Sequence, residues 1–163
     1  MPRTGKVPKR KIEADPIYKS QLVAKLINNV MIDGKKALAR NIVYRAFEKI
    51  EKETHKNPAT IFEEAVKTIA PKTEVKPRRV GGATYMVPME VKGEKKQSLA
   101  IKWIVDAARK RPAKDYLDNK IVVAGKLTAE ILDAATGQGG AVEHKIQVEK
   151  QAEANKAFAH FRW

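Results

Sequence analysis

Apolar residues spaced three and four positions apart recur through most of this 163-residue chain, and this spacing constrains its fold more than any other feature. Leu22, Leu26 and Val30 form the first such stripe, with Val23 and Ile27 beside it. Residues at that spacing lie on one face of an α-helix. Five later segments repeat the pattern. The sequence therefore predicts a mainly α fold, a bundle of about six helices whose apolar faces share one core.

Helix ends are marked by residues with special backbone preferences. Asp33-Gly34 predicts the end of the first helix, because glycine readily adopts the left-handed conformation that closes helices. Asn57-Pro58 predicts the start of the third, since Asn57 can cap a helix and Pro58 fits its first turn. Gly125 is expected to weaken the fifth helix. The remaining starts are predicted near Tyr18, Leu38, Leu99, Ile121 and Val142.

One stretch departs from the helical pattern, namely PRRVGGATYMVPMEV, Pro77 to Val91. It is typical of two short strands joined at Gly81-Gly82 and predicts a β-hairpin over about residues 74–91. A two-stranded ribbon is only marginally stable alone, and this one has too little apolar surface for the bundle to cover all of it. We therefore expect the hairpin to protrude. The alternative is a hairpin packed flat on the bundle.

The first sixteen residues differ from the rest of the chain. They contain Pro2, Pro8 and Pro16, five basic side chains and no apolar period. This composition predicts an extended basic arm over residues 1–16, without a core of its own. Residues 17–163 are expected to form a single helical domain. Its C-terminal helix and tail are predicted at about 142–163, with the helix running from Val142 to about Phe158.

Positive charge is concentrated in a few segments. The chain has 33 Lys and Arg against 19 Asp and Glu, a formal net charge of +14. Nearly all of the excess lies in residues 1–11, 72–96 and 109–114, and the rest of the chain is close to neutral. A basic arm, ribbon and helix end indicate a polyanionic partner, most simply a nucleic acid. The alternative is that these side chains are merely solvated.

Residues that could support enzyme chemistry are scarce. The chain has no cysteine, which excludes disulfides and thiol catalysis and suits a reducing cytosol. His55, His144 and His160 are far apart in sequence, so we expect no metal site and no cofactor. No apolar run approaches the roughly 18 residues of a membrane span, and the N-terminus lacks the apolar region of a secretory signal. The sequence predicts neither an enzyme nor a membrane protein.

Two groups of basic residues stand at predicted helix ends. Lys35 and Lys36 open the second helix, where backbone N–H groups and the helix dipole favour a phosphate. They are therefore candidate RNA contacts, or else two solvated lysines at a turn. Arg109, Lys110 and Arg111 close the fourth helix, whose dipole also attracts cations. RNA binding and attraction to the helix dipole can both account for these three basic residues.

The ribbon supplies a third group. Arg78 and Arg79 offer planar, paired donors to a phosphate or a base edge. Gly81 and Gly82 permit close approach of the backbone to a partner. Tyr85 can stack on a base. These residue types together favour an exposed arm that contacts RNA or another protein.

Four segments, in the same order and spanning nearly the whole chain, resemble one known family. They are "GKK" at 34–36 with "LI" at 26–27, "IV" at 42–43 and Ala46 around it, "RRVGGATYMVPMEV" at 78–91, "QSLAIKWIVDAARKRP" at 97–112 and "AEANKAFAHFRW" at 152–163. The first is similar to the signature of the seventh small-subunit ribosomal protein family, the second to its hairpin and the third to its fourth helix. The last resembles the C-terminal end of bacterial members.

The resemblance implies a structural constituent of the small ribosomal subunit, located in the cytoplasm. It implies a primary binder of the 3′ major domain of the ribosomal RNA that nucleates assembly of the subunit head. It also implies a place at the subunit interface near the decoding region, where the hairpin and the C-terminal helix border the exit-site tRNA and the messenger RNA. Other head and platform proteins are the expected neighbours, and no homo-oligomer is expected.

Individual residues follow from the resemblance and from the basic segments. The resemblance implies ribosomal RNA contacts by Arg3, Lys9, Arg10, Lys11, Lys35, Lys36, Arg78 and Arg79. The basic segments add Lys6, Lys72, Lys76, Lys96, Arg109, Lys110 and Arg111. Near the exit-site tRNA and messenger RNA we expect Gly81, Gly82, Ala83, Tyr85, Lys156 and Arg162, with Trp163 ending the tail beside a neighbouring protein.

Two other classes of protein remain open at this stage. One is a general basic architectural protein that binds nucleic acid without preference for a folded RNA. The other is a protein-interaction adaptor whose charge serves solubility only. The ribbon and the C-terminal segment favour the ribosomal interpretation.

Overall fold

The computed structural model describes Gly5 and residues 12–112 and 119–161. It is mainly helical with one antiparallel hairpin, and so confirms the predicted fold class. In chain order the elements are α1 (Gln21–Val30), α2 (Lys36–Thr54), α3 (Pro58–Ile69), β1 (Thr73–Val80), β2 (Ala83–Glu90), α4 (Gly93–Lys110), α5 (Asn119–Ala135), α6 (Gly140–Ala154) and a C-terminal 3-10 helix (Lys156–Phe161).

Helix α5 lies at the centre of the body and packs against α2, α3 and α4. Leu127 and Ile131 on its inner face are buried. The buried Thr128 hydroxyl donates to the Ala46 carbonyl of α2 at 3.1 Å, which ties the two helices together at close range. Gly125 does not interrupt α5, and the Lys49 side chain lies across it. The helix that the sequence marked as weak is therefore the best-packed one.

Aromatic side chains complete the core on the side of α1 and α3. The rings of Phe47 and Phe62, both fully buried, lie 5.9 Å apart. Tyr18 packs edge-on against Phe47 at 5.0 Å. Full burial of a side chain of this size is worth roughly 1.5–3 kcal/mol, so this cluster fixes the segment that precedes α1.

Helix α1 ends earlier than its sequence predicts. Its last helical residue is Val30, and Met31 is already extended, so the prediction that Asp33-Gly34 closes the helix is wrong. Asp33 and Gly34 both have positive φ and build the turn into α2 instead. The Arg109 guanidinium donates to the carbonyls of Asn29 and Val30 at 3.3 and 3.4 Å, which satisfies two terminal acceptors of α1.

The C-terminal segment also differs from its prediction. Helix α6 ends at Ala154 and not near Phe158, because Asn155 leaves the α conformation and its amide donates to the Gln151 carbonyl at 2.7 Å. A 3-10 helix follows. Residues three apart share a face in a 3-10 helix, and this geometry places Phe158 and Phe161 side by side against the hairpin.

The hairpin has a two-residue turn at Gly81-Gly82, with φ of +57° and +88°. Positive φ at both central residues is what a type I′ hairpin turn requires. Directly opposed residues share a face, so the register puts Arg78 with Tyr85 on one face and Arg79 with Thr84 on the other. The first face contacts α6 and the 3-10 helix, while Arg79 and Thr84 are exposed.

Candidate nucleic-acid interface

The turn between α1 and α2 carries the first cluster of predicted contacts. Lys35 is the N-cap residue of α2 and Lys36 its first helical residue, as predicted, and both side chains are exposed. Arg109 reaches the same place from the end of α4, because its guanidinium lies against the last carbonyls of α1. The fold thus brings together two basic segments that are more than seventy residues apart in sequence.

The three basic residues at the end of α4 diverge. Arg109 faces α1, whereas Lys110 faces a hollow beside His144 on α6. Arg111 turns into the body. Its Nε donates to Glu130 Oε2 at 2.6 Å, and its Nη2 donates to the Asp133 carboxylate. Of the three, Arg109 is the one that joins the cluster at the α1–α2 turn.

Glu130 makes Arg111 a structural residue. The carboxylate is 1 % exposed, and its second oxygen accepts from the Ala141 backbone N–H at 2.9 Å. Burial opposes the charge of Arg111, but the hydrogen bonds to Asp133 and Glu130 outweigh it and raise the pKa of Arg111. This network joins the ends of α4, α5 and α6, so we leave Arg111 out of the interface.

The base of the hairpin holds a second cluster. Lys72 and Lys96 line one shallow hollow beside β2. Lys76 is partly neutralised, because its Nζ lies 3.3 Å from the Glu74 carboxylate, which also accepts from Lys95. Burial raises the pKa of Glu74, but the hydrogen bonds from Lys95 and Lys76 outweigh burial and leave the pKa below its ordinary value.

Tyr85 occupies a place that the sequence did not predict. Its ring lies 5.2 Å from Phe158 and 5.0 Å from Phe161. We call these three rings the aromatic cluster. The ring packs on the chain's own tail, so Tyr85 positions the hairpin, and its stacking on a base stays a prediction. Arg78, on the same face, is half-buried, and Arg79 is exposed on the opposite face.

The hairpin tip and the tail lie on the same side of the fold, since the 3-10 helix packs on β2. Gly81, Gly82 and Ala83 are exposed at the tip, and Lys156 is exposed at the start of the 3-10 helix. The other predicted contacts lie outside the described residues, namely Arg3, Lys6, Lys9, Arg10, Lys11, Arg162 and Trp163.

Sequence reasoning missed an anchor at the start of the body. Asp15 is 4 % exposed, although the sequence placed it in the arm. Its carboxylate accepts from the Ile17 and Tyr18 backbone N–H groups and from the Tyr44 hydroxyl at 2.9 Å. Burial, followed by this hydrogen bond, raises the pKa of Tyr44 to about 12. The anchor fixes where the preceding segment leaves the body, on the same side as Lys36 and Arg40.

Other kinds of site find no support in the described part of the chain. No group of three or more His, Asp or Glu residues there could hold a metal ion. None of the helices described is long and apolar enough to cross a membrane.

Fold and surface together define a class of protein. The class is a basic helical body with an exposed hairpin and with its cations gathered at the ends of elements, as in proteins that assemble with nucleic acid. Residues 2–156 match the family model described as Ribosomal protein S7p/S5e.

Similar proteins agree over their whole length. The chain is 56 % identical to the small ribosomal subunit protein uS7 of Carboxydothermus hydrogenoformans and 54 % identical to that of Caldanaerobacter subterraneus subsp. tengcongensis. Both comparisons cover 163 residues and 100 % of each chain. The chain belongs to the S7p/S5e family of ribosomal proteins, and as a member it is a structural, non-enzymatic constituent of the small ribosomal subunit in the cytoplasm.

Proposed function

We propose that this chain is a primary binder of the 3′ major domain of small-subunit ribosomal RNA and that it nucleates assembly of the subunit head. The observation that carries the proposal is the placement of solvent-accessible cations, four exposed and Lys96 half-buried, at both ends of α4. Lys35, Lys36 and Arg109 lie at one end, and Lys72 and Lys96 at the other. Among the described residues, none of these five is within salt-bridge distance of a carboxylate.

Such an arrangement suits a folded RNA better than a straight duplex. Separate clusters that contact phosphates recognise where strands lie in space, and this is how structured RNA is largely recognised. Arg79 adds a further cation on the outward face of the hairpin. The basic side chains of residues 1–11 add to this surface in the sequence, and their contact with RNA remains a prediction.

The second part of the proposal concerns the hairpin tip and the tail. We place them at the subunit interface near the decoding region, bordering the exit-site tRNA and the messenger RNA. Two exposed glycines at the tip let a partner approach the backbone closely, and Lys156 supplies a cation on the same side. Head and platform proteins are the proposed neighbours, and the chain is proposed to act as a monomer.

The first part is tested by binding the purified chain to the isolated 3′ major domain across a salt series, with duplex DNA as competitor. We expect nanomolar, RNA-selective binding whose logarithm falls steeply with log salt, by about 0.7–0.9 for each phosphate contacted. Arg79→Gln should reduce that slope by roughly 1, and Lys52→Gln, an exposed lysine outside the basic segments, should leave it unchanged. Equal affinity for RNA and DNA would leave only a general basic architectural protein.

The second part can be tested by site-directed crosslinking, because the chain has no cysteine of its own. Ala83→Cys at the hairpin tip would carry a photoreactive group into reconstituted small subunits. We expect crosslinks to exit-site tRNA. Glu64→Cys, exposed on α3, is the matched control and should give none. Equal yields from the two positions would remove the tip from the exit site.

A further inference from the structure

A groove opens between the α1–α2 turn, α2, the end of α4 and α5. Its volume is about 360 Å³. Its floor is apolar and buried, and is formed by Ala39, Ile42, Val105, Ala108 and Leu127. Two further apolar side chains stand at its mouth and are open to solvent, Ile32 at 60 % exposed and Val123 at 37 % exposed. Solvent-exposed aliphatic residues over an apolar floor indicate a surface that a partner covers.

The rim of this groove is basic. Lys35, Arg109 and Lys126 lie around it, against one carboxylate, that of Asp33. No ion pair between described residues neutralises the three cations. Arg109 is held at the edge by its contacts with the α1 carbonyls. The groove therefore offers an apolar interior with fixed positive charge at its entrance.

We propose that this groove, which we call the basic-rimmed groove, binds the base of one unpaired nucleotide of the RNA. A nucleotide combines a flat, largely apolar ring system with an adjacent phosphate, and this matches the floor and the rim. The volume of the groove, about 360 Å³, lies at the lower end of the roughly 300–1,000 Å³ of small-ligand sites. The groove therefore suits a single nucleotide. Proteins recognise RNA largely through bases that have left the helix.

The competing occupants fit less well. An apolar segment of a protein would bury the rim cations beside it without a compensating charge, which is costly. A second copy of this chain would bring its own strongly positive surface, at a net charge of +14, against the same rim. The charge complementarity favours a polyanion that also carries an apolar group.

The test separates this inference from the proposed function on which it rests. Ile32→Ala removes apolar contact at the mouth, and Val123→Trp fills the groove from α5. Ile32→Ala should weaken binding of the full chain to the isolated 3′ major domain by roughly tenfold, because apolar contact area is lost. Val123→Trp should weaken it by about as much, because the indole occupies the space of the base. Because no phosphate contact is removed, the salt slope should stay unchanged. Lys35→Gln should instead lower the slope by about 1.

The control is Ile17→Ala, the same substitution at a side chain of similar exposure, 62 %, that does not line the groove. Thermal unfolding of each variant verifies its fold. Affinities of Ile32→Ala and Val123→Trp equal to that of Ile17→Ala would overturn the groove while leaving RNA binding intact. If the parent chain self-associated without RNA and Ile32→Ala abolished that association, the occupant of the groove would be a second copy and the proposal would be overturned. If the parent chain bound the 3′ major domain no better than duplex DNA, the proposed function itself would be overturned.

Discussion

The helical body around α5 and the hairpin Thr73–Glu90 are held in different ways. Helix α5 is surrounded by three other helices and buries Leu127 and Ile131 almost completely. The hairpin rests one face on α6 and the 3-10 helix, and on its other face Met86 is 49 % exposed. Many aliphatic contacts determine the position of α5, whereas the hairpin is held by buried Val87 and by the three rings of the aromatic cluster. A single substitution can therefore displace the hairpin without unfolding the body.

The polar contacts of the body and of the hairpin also differ in burial. In the body, Glu130 and Asp15 are buried carboxylates with several donors each. At the hairpin, Glu74 is paired with two lysines whose side chains are 45–46 % exposed. Buried charged networks are strongly destabilised when one partner is removed, and exposed pairs contribute little. Substitutions in the buried networks of the body should therefore cost more than substitutions at the hairpin.

The largest effect is expected in the body from Glu130→Ala. It leaves Arg111 Nε and the Ala141 N–H without their acceptor, so the free energy of unfolding should fall by about 3 kcal/mol. Urea unfolding measures this change. Glu153→Ala, at an exposed position on α6, should change it little. Similar values for both variants would remove the proposed difference between body and surface.

Tyr44→Phe should have the next largest effect. It removes the hydroxyl that donates to buried Asp15, at a cost of about 2 kcal/mol. The pKa of Tyr44 is raised from 10.0 to about 12, so its contribution is full below pH 10 and is lost as pH rises toward 12. The difference in unfolding free energy between parent and variant should shrink over that range. Tyr85→Phe is the control, since its hydroxyl has no hydrogen bond among described residues.

Tyr85→Ala tests the hairpin side. Aromatic pairs are worth about 0.5–1.5 kcal/mol each beyond burial, so losing the two in the aromatic cluster should speed hydrogen exchange of hairpin amides by roughly tenfold or more. Amides of α5 should be unaffected. Met86→Ala, the next residue on the outward face, is the matched control. Equal acceleration in α5 would show that hairpin and body do not open separately.

The smallest effect is expected from Glu74→Gln, about 0.5 kcal/mol at neutral pH. The pKa of Glu74 is below its ordinary value of 4.5 in the folded chain. Its contribution is therefore present above pH 4.5 and is lost as pH falls through the folded pKa. Unfolding curves at several acidic pH values should show parent and variant converging. Glu90→Gln, in an exposed position with no ion pair among the described residues, should show no such convergence.

Helix type and order could be predicted because each apolar stripe is long enough to define a period. The start of α3 could also be predicted, because the Asn57 cap and Pro58 are local signals. The end of α1 and the start of α4 could not, because distant residues contact them. Helix α1 ends where Arg109, eighty residues later than Asn29, meets its carbonyls. Helix α4 begins at Gly93, before its apolar stripe, in a polar turn whose Lys95 pairs with Glu74 of the hairpin.

The candidate interface was predictable only in part. Lys35 and Lys36 lie at the start of α2, as predicted from the apolar stripe that follows them. The start of this helix is marked by residues close to it in sequence. The partners of Arg111 and Tyr85 depend on tertiary contacts and have no local signature. Glu130 did carry a signal: it lies three residues after Leu127 and one before Ile131, so a carboxylate interrupts the buried stripe. Such a position predicts a buried polar partner.

Helix α4 has a consequence for the accuracy of assembly. Lys96 and Arg109 are thirteen residues apart on one continuous helix, which separates them by about 20 Å along its axis. In the proposed complex, two RNA strands meeting these ends would have to lie at that spacing. A misfolded junction whose strands are nearer or farther apart could contact only one end. Helix length, without reading any base, would then discriminate between correctly and incorrectly folded RNA.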